Sequence, residues 1–147
     1  MVFDNSESKN NLQEVDIDFV NMRKVYLYRI VGILSYLNVP QHSYNMSRKM
    51  VAGDLGVISF RYVTMADHDG LGSMIAFVKE LEKRGIKIIL TGFKVNMKNK
   101  ILSEETLKRE FKMRTFKNIV GNSYKNNPLY TDRHAAKRKV LADDLKV

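Results

Sequence analysis

Asp67, His68 and Asp69 stand in a row within VTMADHDGLGSMIAF (63–77), and Gly70 and Gly72 follow at once. Two carboxylates around an imidazole could shuttle protons, ligate a metal or start a helix. Sequential neighbours seldom converge on one ion, and the other histidines, His42 and His134, lie in unrelated stretches. A metal site is therefore not expected. No nucleophile or second base is fixed beside Asp69 by spacing, so no catalytic residue is expected either. GLG lacks the third glycine of a dinucleotide fingerprint. A helix N-terminus can still hold an anion, but Asp69 would repel phosphate. The structural use is stronger. Asp69 sits just before Gly70, where a short acidic side chain can accept from unpaired first-turn N–H groups. The expectation is that Asp69 caps a helix over 71–84 and serves its positive end.

The elements that must hold this motif can be read on either side of it. Upstream, VISFRYV (57–63) reads as a strand. Downstream, Leu71, Met74, Ile75, Val78 and Leu81 recur at helical spacing, with Lys79, Glu80, Glu82 and Lys83 opposite them. Gly85 should stop that helix. IKIILTGF (86–93) is nearly all apolar, as in a strand buried on both faces. Nearer the N-terminus, KVYLYRIVG and ILSYLN read as two strands, 25–31 and 33–38, broken at Gly32. A helix follows from Pro40 in its first turn, with Val39, Tyr44 and Met50 as its buried positions. Ser103 should cap a last helix, with Glu104 and Glu105 in its first turn and Leu107 and Phe111 on its buried face. A strand, a helix and a further strand imply a parallel crossover. The expected fold is α/β: a small mixed sheet of about four strands with helices mainly on one face.

Composition sets outer bounds. The 147 residues suit one domain. There is no cysteine, so disulfides and thiol chemistry are excluded. No run approaches the ~20 apolar residues of a membrane-spanning helix, and the N-terminus lacks an apolar signal core. A complete product would be a soluble intracellular protein, whereas an excised domain could have lost its membrane spans. The formal charge of +9 is uneven: residues 1–20 carry −4, and 94–117 carry +5. The organisation expected is an acidic leader or linker at 1–20, a domain at 21–120 and a basic tail at 121–147. The basic stretches lack the interleaved aromatics of a single-strand binder, so no nucleic acid is expected. In the tail, NPLY (127–130) reads as a turn and KRK (137–139) is short for a lipid-headgroup patch.

VYLYRIVGILSYLNVPQH resembles the opening of a STAS domain, and GVISFRYVTMADHDGLGSMIAFVKELEKRGIKIILTGF resembles its centre. The resemblance covers roughly 24–117. It implies either of two settings: the cytoplasmic domain of a SulP-type anion transporter, or a free-standing anti-sigma-factor antagonist. In the antagonists the motif reads Asp-Ser-Ser-Gly-Leu, and the second serine is phosphorylated. Asp67, Gly70 and Leu71 match it, but His68 and Asp69 replace the serines, so the acceptor hydroxyl is missing. The Asp-His-Asp version is more like the transporter branch.

The resemblance thus implies a non-enzymatic module, without cofactor, that regulates or assembles a sulfate or bicarbonate transporter. Its partner would be the transporter's membrane domain or another protein, and its place the cytoplasm beneath the membrane. The contact surface would be Asp67, His68, Asp69, Gly70, Leu71 and Gly72, with the basic 94–117 stretch facing the membrane or the transport domain. The alternatives are a free-standing regulator without its phospho-site, or a module binding nucleotide weakly.

Overall fold

The computed structural model describes residues 12–15 and 22–115. Its elements in chain order are β1 (Leu12–Val15), β2 (Val25–Leu34), α1 (Val39–Ser47), β3 (Leu55–Ala66), α2 (His68–Lys83), β4 (Lys87–Thr91), α3 (Val95–Leu102) and α4 (Glu105–Lys112). The sheet order is β1-β2-β3-β4. β1 pairs antiparallel with β2, and β2, β3 and β4 run parallel. Parallel neighbours need crossovers, and α1 and α2 supply them. The expected α/β fold with a small mixed sheet is the fold observed.

Two strand assignments are corrected. The break expected at Gly32 is instead a positive-φ residue inside one ten-residue strand, and the extra residues of the irregular pairing lie on β3. The β2–β3 register shifts on either side of it, and Gly32 takes φ 86, a conformation open to glycine. Residues 36–38 form a turn instead of a second strand. The fourth strand comes from the stretch read as an acidic leader: Leu12 and Val15 are buried while β1 pairs along β2. The tail at 121–147, with NPLY and KRK, lies outside the described residues.

One face of the sheet carries Tyr26, Tyr28, Ile30, Ile58, Phe60, Ile88 and Leu90, which join a single core with side chains of all four helices. α2 contributes Leu71, Met74, Ile75, Val78 and Leu81, the stripe its spacing foretold. Each full burial of this kind stabilises by about 1.5–3 kcal/mol. The α2 stop at Gly85 is a paired cap: Gly85 N–H donates to Glu82 O and Ile86 N–H to Leu81 O. β4 is apolar on both faces, and Ile88, Ile89 and Leu90 are all fully buried.

α1 buries Val39, His42, Asn45 and Met46, and Met50 beyond it. Tyr44, expected inside, is exposed. His42 takes the inward position instead, with its Nδ1 at 2.6 Å from the Tyr28 hydroxyl. Burial pushes the imidazole down to about 4 and the phenol up to about 12.

The C-terminal helices differ from expectation. α3 forms in KVNMKNKIL, read only as a basic stretch, by turning Met97 and Ile101 inward. Ser103 ends α3 rather than capping the next helix: its hydroxyl donates to Lys100 O, and Glu104 precedes α4 without a side-chain cap. Leu107 and Phe111 are buried as expected. Arg114 then locks α4 to α2. Its guanidinium grips both Glu82 oxygens at 2.9 and 2.7 Å and reaches Glu110 Oε2 at 2.7 Å. Lys79 approaches Glu110 from the other side at 3.1 Å. The Arg114 hydrogen bond, aided by Lys79, holds the Glu110 carboxyl below its ordinary range.

Two outcomes are expected. His42 is neutral and buried when folded but free to protonate when unfolded. Its folded value lies below the unfolded one, so its stabilisation is complete above pH 6.5 and is lost as pH falls towards 4. Denaturant titrations should show a loss of up to about 3 kcal/mol over that window, and His42→Gln should flatten it. Arg114→Ala leaves Glu110 buried with Lys79 as its remaining cationic partner and should cost about 3 kcal/mol.

Candidate functional site

β3 ends at Ala66, and Asp67 is the last extended residue before α2, with φ −97 and ψ 168. Its Oδ1 accepts from Gly70 N–H at 2.6 Å, and its carbonyl accepts from Leu71 N–H at 3.0 Å. Asp67 is therefore the N-cap, and the assignment of that role to Asp69 is corrected. The helix starts at His68, three residues earlier than the start expected at Leu71. Asp69 lies within the first turn, where its charge meets the helix dipole without closing a cap.

Gly70 serves a close approach. A Cβ built there would stand 2.7 Å from Leu34 O and 2.8 Å from Ser35 Cα. The first turn of α2 is thus seated directly on the end of β2. At Gly72 nothing lies within 4 Å of such an atom. The six residues expected to form a contact surface divide accordingly. Gly70 and Leu71 are buried and belong to the packing, while Asp67, His68, Asp69 and Gly72 are exposed.

The turn after β2 completes the exposed part. Asn38 holds that turn by accepting from Ser35 N–H at 3.0 Å and donating to Ile33 O. Tyr36 on it is 56% exposed, so its ring is open to a partner. With His68, Asp69, Gly72, Ser73 and Ala76 it lines a wide, shallow hollow of about 530 Å³. The spacing of the motif contained no signal for Tyr36, Ser73 or Ala76. His42 faces Tyr28 in the core and takes no part. Among the described residues no group of three or more His, Cys, Asp or Glu side chains is placed to hold a metal ion. Nor, among the described residues, is any helix long and apolar enough to cross a membrane. What the hollow offers is an acidic, open face with one aromatic ring and one imidazole. Such a face can meet another surface, whereas polarising a bound substrate needs water excluded.

A family profile described as the STAS domain matches residues 16–121. Comparison with curated proteins gave no match. Among solved structures, the chain is similar to the STAS domain of a SulP transporter from Vibrio cholerae. That likeness has 14% identity and a TM-score of 0.50, over 68% of this chain and 80% of that one. A sulfate transporter family protein from Wolinella succinogenes is similar at 19% identity and a TM-score of 0.52, over 72% and 87%.

The corrected cap predicts an order of stabilities. Asp67→Ala should cost about 0.5–2 kcal/mol in chemical denaturation. Asp69→Ala should cost about 0.3–1 kcal/mol, and less in high salt. Gly70→Ala should be destabilising because Leu34 and Ser35 backbone must yield, while Gly72→Ala should be neutral or slightly stabilising. Equal losses at Asp67 and Asp69 would contradict the cap assignment.

Proposed function

Because the chain belongs to the STAS domain family, we propose that it regulates or assembles a SulP-type inorganic anion transporter by protein contacts in the cytoplasm. The observation that carries this reading is the exposed hollow at the start of α2, built on a rigid seat and open to a partner. The fold likeness to STAS domains of transporters supports the setting. Asp69 occupies the position of the phospho-acceptor serine in the antagonist motif. The serine phosphorylation switch of the free-standing branch has no acceptor hydroxyl there. Recognition in this reading is constitutive: Asp69 presents a fixed negative charge where the other branch adds one.

Work on the hollow would be contact work. Asp69 and His68 supply charge and hydrogen bonding, and Tyr36 supplies a ring with a polar tip. Ala76 and Gly72 keep the floor low enough for a partner to approach. Of the six residues proposed from sequence, Gly70 and Leu71 act by holding this face in place rather than by touching the partner.

The test uses the full reading frame in cells, with sulfate and bicarbonate uptake as the readout. Tyr36→Ala, Asp69→Lys and Ala76→Arg change exposed side chains only. Each should lower uptake, or co-purification with the membrane domain, by about fivefold while leaving protein amount unchanged. Uptake indifferent to all three would remove the hollow from the contact. Association with a soluble partner, and none with the membrane fraction, would move the chain to the free-standing class.

A further inference from the structure

β3 has 12 residues, but its two neighbours do not accompany it equally. β2 pairs with it as far as Ala66, whereas β4 pairs only from Leu55 to Ser59. After Thr91 the chain turns away through Gly92, which sits against Arg61 N–H, and enters α3. The last stretch of β3 therefore has no strand on its β4 side among the described residues. Tyr62, Thr64 and Met65 in this stretch are exposed.

A groove of about 510 Å³ runs along that edge. One wall is residues 63–66 of β3, and the other is Lys94, Asn96, Met97 and Lys100 on and before α3. Lys100 Nζ donates to Ala66 O across one end. A backbone carbonyl at the strand edge is thus served by a side chain, not by a neighbouring strand. The lining contains two lysines and no carboxylate. Asp67, the nearest acid in sequence, is committed to the Gly70 N–H.

We infer that this groove takes an extended acidic peptide segment of a partner protein, added as a strand to the free edge of β3. Edge addition draws its affinity from main-chain hydrogen bonds and its selectivity from alternate side chains. At ~3.3 Å per residue, the 63–66 wall accommodates about four residues of such a segment. Its acidic side chains meet Lys94 and Lys100, and its apolar ones meet Met65 and Met97. Lys edges protect a strand from pairing with like strands, and here the same charge selects a carboxylate-bearing one. The groove lies apart from the hollow at α2, so this inference does not rest on the contact proposed there.

The test uses the full chain and the fluorescein-labelled octapeptide GEVDVEVG. Its companions are GKVKVKVG and the acidic peptide N-methylated at alternate residues. The inference expects saturable binding of the acidic peptide, with amide shifts centred on residues 62–66 and on α3. Alternate N-methylation should weaken binding about tenfold by removing backbone donors. Lys94→Glu, an exposed position before α3, should weaken it about fivefold. Four results would overturn the inference: no saturable binding, equal binding of the N-methylated peptide, shifts away from 62–66, or binding to anionic phosphatidylserine vesicles in place of peptide. Uptake measured with the same Lys94→Glu chain separates this outcome from that of the α2 hollow.

Discussion

The structure depends on how closely α2 is seated on β2. At Gly70 there is no room for a methyl group, because the Leu34 carbonyl and the Ser35 Cα already occupy the space. That seat sets the angle at which the chain leaves β3. It needs an extended Asp67 to close the first turn and a buried Leu71 to hold it down. The stripe from Leu71 to Leu81 then follows onto the sheet, and the face carrying Asp69, Gly72 and Ala76 is left outward. An exposed feature of the molecule is thus positioned by a buried one, as precise binding surfaces require.

The second anchor is electrostatic. Arg114 reaches back to Glu82 and Glu110, and its carbonyl accepts from Leu90 N–H at 2.8 Å. One residue ties α4 to α2 and to β4. The desolvation of such a cluster offsets much of its attraction. Its contribution is best seen as geometric: it fixes where α3 and α4 lie against the sheet, and hence the far wall of the β3 groove.

The parts of the fold legible in sequence were those with strong local period. The α2 stripe, the β4 run and the Gly85 stop each follow from apolar spacing and turn chemistry. β1 was hidden because LQEV holds only two apolar side chains, on either side of Gln13 and Glu14, and only the edge of β2 makes it a strand. Gly32 misled because a glycine with positive φ can end a strand or, as here, sit inside one where its pairing is irregular. α3 has two inward side chains in eight residues, too few for a visible period. The cap was displaced by two positions because Asp67 and Asp69 are chemically equivalent candidates. Only the point where β3 stops being extended decides between them. The edge of β3 that is open among the described residues had no sequence signal at all, since it arises from the early end of β4.

The carboxyl ends of the parallel strands therefore carry two unlike surfaces on either side of β3. Toward the β2 turn, Asp67 and Asp69 make the surface acidic. Toward α3, Lys94 and Lys100 make it basic. The two signs meet closely, since Lys100 Nζ donates to the carbonyl of Ala66, the residue before Asp67. A sign change of this kind along a surface can orient an approaching molecule before any contact forms. The net charge of +9 conceals this arrangement. The local order of acids and lysines around one strand end is set by the seat at Gly70 on one side and by the turn at Gly92 on the other.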